Sequence, residues 1–226
     1  MNKPEAFWDK ASKNYDKTEE RFEYIHNKTK ENTEKYLNDH DIVLDYGCGT
    51  GTKSCELASQ AKEIHAIDIS SKMIKIAKNK ATVCKVKNVN FTQTDIFDKK
   101  FKNQTFDVIL AFNMLHTVPN PQSVMQRIHE LLKPDGLFIS ATPCLQEKKS
   151  LLVTIQIQFV RVLCAMGLIP IPIRRLKSPE LDHLITSESF QIIETEKIYK
   201  EASSYFIASK KTYKPQLNAH SHDFEH

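Results

Sequence analysis

Three glycines alternate at Gly47, Gly49 and Gly51, directly after a short apolar run that ends in Asp45. Glycines at this spacing let a backbone turn sharply and lie close against a ligand. At the carboxyl end of a strand, they sit where open α/β sheets bind small molecules. The run Val43-Leu-Asp-Tyr-Gly-Cys-Gly-Thr-Gly51 departs from the nicotinamide-dinucleotide fingerprint, which asks for glycine at position 52, where Thr52 stands. Asp45 would also repel a pyrophosphate seated beside it. A cationic sulfonium amino acid meets no such conflict.

Further polar residues close the next apolar runs. They are Asp68 in Ile67-Asp-Ile-Ser70, Asp95 in Thr94-Asp-Ile96, and Asn113 with His116 in Phe112-Asn-Met-Leu-His116. A carboxylate has two acceptor oxygens and suits a pair of neighbouring hydroxyls. His116 is the candidate general base, with an unperturbed pKa near ~6.5; its alternative role is to shape a pocket wall. His65 and His129 read as structural. Cys144 could be a nucleophile, but it follows Pro143 and reads better as an ordinary loop thiol. No metal site is expected. The tail histidines His220, His222 and His226 read as part of a frayed polar end.

The elements that must hold these residues alternate in type. Apolar, β-branched runs at 42–44, 64–67, 89–91, 106–112 and 136–140 are separated by helical stretches, which predicts βαβ units and a parallel sheet covered on both faces. Ser70 or Ser71 should cap a helix through Lys80. Asn120 should cap another, with Pro121 at its first position and Pro134-Asp-Gly136 past its end. Segment 150–166 reads as a helix with one narrow polar stripe at Thr154, Gln158 and Arg161. Ser178 should cap a short helix to about Leu184, and 190–198 and 205–208 read as two closing strands, antiparallel to each other.

The totals limit the classes. The 226 residues carry 32 basic and 28 acidic side chains, a net +4 with no concentrated basic face, so no nucleic-acid partner is expected. Five cysteines without CxxC spacing argue against a disulfide framework or a zinc site and for a reducing cytoplasm. The first ten residues contain no apolar core of signal-peptide length. The apolar stretch Leu151–Ile173 carries Arg161 and the breakers Gly167, Pro170 and Pro172, so it reads as non-spanning.

Asp45-x-Gly47-x-Gly49-x-Gly51 resembles motif I of the class I methyltransferases that use S-adenosylmethionine (SAM). The residues at strand ends two to four, and Leu131-Leu-Lys-Pro-Asp-Gly136 before strand five, follow in that family's order over roughly residues 40–142. The resemblance implies a Rossmann-like, mostly parallel seven-stranded sheet whose last strand is antiparallel, with helices on both faces. It implies SAM as the cofactor, held by Asp45, Gly47, Cys48, Gly49, Gly51, Asp68, Ile69, Met73, Asp95, Ile96 and Asn113. Asp68 would take the ribose hydroxyls, Met73 and Ile96 would cover the adenine, and Asp95 would take its amino group. The nearest likeness is to the branch with ubiquinone- and menaquinone-biosynthesis enzymes, where an amino-terminal aromatic helix closes over the cofactor. Phe7-Trp8 and Tyr15 fit that lid.

Asn113-Met-Leu-His116 is not the Asn/Asp-Pro-Pro-Tyr of nucleobase-amine and glutamine-amide enzymes, so those acceptors lose ground. The expected arrangement is one domain over 1–226: a helical lid (1–40), a SAM-binding core (41–142), a helical acceptor cap (143–188), closing strands (189–212) and a flexible tail (213–226). The expected function is methyl transfer to a small, apolar or aromatic acceptor. The alternative is a SAM-binding regulatory or assembly partner without transferase activity. The 151–177 segment, followed by Arg174, Arg175 and Lys177, is expected either to roof the acceptor or to touch lipid at a membrane surface.

Overall fold

The computed structural model describes residues 3–147, 151–200 and 202–213. The tail histidines lie outside the described residues. The parallel strands form where the apolar runs predict them: β1 (Ile42–Tyr46), β2 (Glu63–Asp68), β3 (Val89–Gln93), β4 (Phe106–Phe112) and β5 (Leu132–Pro143). β6 (Phe190–Tyr199) and β7 (Ser203–Lys211) complete a seven-stranded sheet in the order β3-β2-β1-β4-β5-β7-β6. β7 inserts between β5 and β6 and runs antiparallel to both.

The chain winds outward from β1 in one direction through β2 and β3, then returns to the other side of β1 through β4 and β5. The reversal leaves a crevice beyond the carboxyl ends of β1 and β4, the point at which open α/β sheets take ligands. Asp45 and Asn113 sit at those two ends.

Eight helices accompany the sheet among the described residues. The amino-terminal region is helical but broken: α1 (Lys3–Ala11), α2 (Tyr15–Glu19) and α3 (Glu23–Glu34) are joined by short 3-10 turns. Next come α4 (Thr52–Leu57), α5 (Ser71–Val83), α6 (Pro121–Leu131), α7 (Leu151–Ala165) and α8 (Ser178–Thr186). Ser70 caps α5 by accepting from the Met73 amide at 3.1 Å, and Asn120 caps α6 by accepting from the Ser123 amide at 3.2 Å. Ser178 is the first residue of α8 rather than its cap, because its hydroxyl donates to Glu147 while the Lys177 amide donates to Glu180 at 2.8 Å.

Two apolar layers hold the sheet. One, around Phe106, Phe138, Leu115 and Ile128, lies beneath α6 and α8. The other, around Leu57, Ile64, Ala77, Phe91 and Phe206, lies beneath α3, α4 and α5. Helix α7 differs: no side chain described on it is buried.

Candidate functional site

The glycine turn is built from the backbone outward. Gly47 and Cys48 donate their amides to the Ile67 carbonyl of β2 at 2.9 and 3.0 Å, which pulls the turn across the end of the neighbouring strand. Gly49 donates its amide to Asp68 Oδ2 at 3.0 Å, and the Ser70 amide reaches Oδ1 at 2.8 Å. These two bonds orient a carboxylate that still has lone pairs facing the crevice. Burial raises the Asp68 pKa, and the two amides oppose that rise.

Gly51 serves packing. Its φ is +75°, and a Cβ there would come within 2.7 Å of both Ala77 and Phe91. It lines neither cavity, and it lets α4 start against α5. Asp45 is buried, and Ser54 donates to it at 2.5 Å. Burial pushes its pKa up to about 6 despite that bond. Burial also drives the Cys48 pKa upward, which disfavours its thiolate.

A cavity of about 390 Å³ opens beyond these strand ends. Its lining includes Gly49, Asp68, Ile69, Met73 and Asp95, at or after the ends of β1, β2 and β3, and Met114, Val118, Pro119, Pro170, Ile171 and Pro172, which follow β4 and α7. A second cavity of about 370 Å³ continues past Gly47 and Asn113 to the acidic residues Asp16, Glu19 and Glu23. Tyr15 and Asn113 line both. The Tyr15 ring lies 3.5 Å from where a Gly49 Cβ would stand, and burial raises the pKa of its phenol. Asn113 sits at φ +54° and donates its side-chain amide to Glu19 at 3.3 Å.

Besides Gly51, two expected site residues stand elsewhere. Ile96 is fully buried in the core beneath α6, and Phe97, half exposed, lines the cavity beside Asp95. The Asp95 side chain accepts from the Phe97 amide at 2.7 Å, a turn that swings Phe97 outward and Ile96 inward. His116 lines neither cavity. Its Nδ1 is buried without a hydrogen-bond partner, and burial lowers its pKa to about 4. Its carbonyl accepts from the Arg174 amide at 2.8 Å and so holds the segment that brings Pro170–Pro172 over the cavity.

How the amino-terminal helices are fastened is not readable from the sequence. Asp9, buried on α1, accepts from Ser70 Oγ at 2.6 Å and from the Lys72 amide at 3.1 Å, which makes it a second cap for α5. Burial alone would raise its pKa, but these bonds hold it below the usual value. Further along, Asp16 accepts from Thr50 at 2.5 Å and from Lys80 at 3.1 Å. Trp8 and Tyr15, each next in sequence to one of these anchored carboxylates, are thereby held at the cavity wall. Only three-residue and four-residue helical spacings are readable in a sequence; a carboxylate that caps a helix 60 residues away is not.

Residues 37–211 match the family model described as Methyltransferase domain. The chain belongs to the class I SAM-dependent methyltransferase family. It is 34% identical over 131 residues to a ubiquinone biosynthesis O-methyltransferase of Actinobacillus pleuropneumoniae, covering 55% of each chain. It is 34% identical over 134 residues to an uncharacterized protein of Methanocaldococcus jannaschii, covering 59% of this chain and 49% of that one. The chain thus spans about half the length of the curated relatives it matches. Among solved structures, the YcgJ protein of Bacillus subtilis superposes with a TM-score of 0.67 at 16% identity, over 84% of this chain and 100% of that one. At that identity the likeness shows the fold alone.

The residues present fit SAM. Asp68 offers free lone pairs to a ribose, Met73 and Phe97 offer an apolar slot of aromatic-ring kind, and Gly49 keeps the turn low enough for close approach. The carboxylates Asp45 and Asp68 favour a cation over a pyrophosphate.

Proposed function

We propose that the chain binds SAM and transfers its methyl group to a small acceptor with an apolar body. One observation carries the reading: a single cavity is lined both by the carboxylates Asp68 and Asp95 and by the apolar Met114, Val118, Pro119 and Pro170–Pro172. One enclosure thus offers polar surface to the donor and apolar surface to an acceptor. The relatives named as ubiquinone biosynthesis O-methyltransferases support an oxygen acceptor on an apolar framework.

When bound, SAM supplies an electrophilic methyl group. The chain's own residues align and enclose. Asp68 fixes the ribose, Phe97 and Met73 grip the adenine, and Tyr15 with Trp8 closes the face above and keeps water out. Such alignment can supply about 7–11 kcal/mol of a bimolecular barrier. We assign no proton transfer to His116, since a ring titrating near 4 is a weak acceptor and lies off the cavity wall. Its part in this reading is to hold the roof through its carbonyl.

Calorimetric titration of SAM against the wild type and Asp68→Ala tests the proposal, followed by turnover with quinols, phenols and thiols. Binding that the variant loses, with turnover of an apolar phenol or quinol, supports it. Failure of the well-folded wild type to bind SAM would sink it. Binding without turnover of any acceptor would favour a SAM-dependent regulatory partner.

A further inference from the structure

Helix α7 carries an apolar stripe that the protein does not cover. Leu152, Ile155, Phe159, Val162 and Met166 recur at alternating steps of three and four, so they share one face. Their exposures are 59, 59, 63, 56 and 66%. Leu151 and Leu168 extend the patch at either end, at 77 and 63%. A contiguous apolar face of this extent on a water-facing helix marks an interaction site.

The charge around it identifies the partner. Residues 148–177 contain Lys148, Lys149, Arg161, Arg174, Arg175 and Lys177 and no aspartate or glutamate. The segment therefore carries +6 within a chain of net +4, which leaves −2 for the remaining residues. In sequence, the basic excess thus falls within the segment that contains the uncovered apolar face. A long apolar face within an acid-free, basic segment suits a surface that is greasy inside and negatively charged outside. The helix cannot cross such a layer: its 15 residues span about 22 Å, against a hydrocarbon core of ~30 Å. No helix among the described residues is long and apolar enough to do so.

We propose that α7 lies in the surface of an anionic lipid bilayer, with the Leu152–Met166 face in the acyl boundary and the exposed Lys177 at the headgroups. The chain turns at Gly167, where φ is +71° and a side chain would meet nothing within 4 Å, and then runs directly into Pro170–Pro172 over the cavity. Docking thus sets the Pro170–Pro172 wall of the cavity next to lipid. A membrane-dissolved acceptor follows from this only together with the proposed transferase reading; the docking itself does not depend on it.

The test is co-sedimentation with phosphatidylcholine vesicles, with and without phosphatidylserine, at low and high salt. The wild type is expected to sediment with the anionic vesicles and to be released by salt or by omission of phosphatidylserine. Ile155→Glu/Phe159→Glu, at two exposed positions, is expected to lose at least about tenfold in vesicle affinity. Its melting temperature and SAM affinity should match the wild type, which separates lost docking from lost folding and from failure of the cofactor reading. Lys148→Gln/Lys149→Gln/Lys177→Gln is expected to lose about a hundredfold on anionic vesicles, at roughly fivefold per cation. Wild type that stays in the supernatant, or an Ile155→Glu/Phe159→Glu variant that still sediments, would overturn the proposal. So would a concentration-dependent dimer that the same variant converts to monomer, since the face would then join two copies of the chain.

Discussion

Gly49 and Gly51 belong to one motif, yet the structure gives them different work, and substituting each with alanine separates the two roles. At Gly51 two costs combine. Alanine at φ +75° enters the left-handed region, at about 1–2 kcal/mol, and its Cβ would meet Ala77 and Phe91 at 2.7 Å. Both neighbours belong to the packed layer beneath α5, so relief requires α4 and α5 to part, an overpacking cost of about 1–3 kcal/mol. The sum, about 2–5 kcal/mol, corresponds to a fall in melting temperature of roughly 4–20 °C for a chain of this size. At Gly49 the φ is +53°, but the new Cβ would meet Tyr15 only at 3.5 Å, an ordinary contact. Only the conformational cost applies, about 1–2 kcal/mol or roughly 2–8 °C. SAM affinity should divide in the opposite sense, weakened in Gly49→Ala and retained by the folded fraction of Gly51→Ala. Differential scanning calorimetry paired with SAM titration measures both. If Gly51→Ala melts no lower than Gly49→Ala, the assignment of Gly51 to packing is refuted.

Three further outcomes are expected. Phe97→Ala should weaken SAM binding about 3–10-fold, the worth of one aromatic contact, with little change in melting; Ile96→Ala should cost about 2–5 kcal/mol of stability and leave SAM affinity intact, and titration with thermal unfolding of both variants distinguishes them. Asp45 is held at about 6, above its ordinary 3.8, so the native state favours its protonated form, and the stability this confers is full below about pH 4 and lost as pH rises through 6. Asp45→Asn should therefore gain on the wild type by about 3 kcal/mol between pH 4 and pH 7.5 in denaturant titrations, and a constant difference across that range would refute the burial argument. Asp9→Ala removes a cap from α5 and should cost about 0.5–2 kcal/mol while exposing α1 to limited proteolysis; an unchanged digestion pattern would show that Asp9 does not fasten the lid.

Much of the site was legible because its carriers are local. The strand ends at Asp45, Asp68, Asp95 and Asn113 follow from apolar runs that stop at a polar residue, and the caps Ser70 and Asn120 follow from side-chain reach within one turn. The choice between Ile96 and Phe97 was not local in that sense. Both are apolar and adjacent, and the Asp95 turn decides which faces the core. His116 shows the same limit. Its type and its place after β4 suggest a base, but only the packing around it shows the ring turned from the cavity and depressed to about 4.

The sequence by itself determined the alternation of strand and helix, the glycine turn after β1, the family, and an apolar helix at 150–166 flanked by basic residues. Periodicity and turn chemistry act over a few residues, so a linear reading reaches them. Only the tertiary structure decided which motif glycine serves packing, how Asp9 and Asp16 fasten the lid, and that the apolar face of α7 is left uncovered. Each of these depends on groups far apart in the chain meeting, or failing to meet, in space. For α7 the hydrophobic pattern is the same whether the helix is buried or bare, because it records what a surface would gain by being covered and not whether the fold supplies the cover.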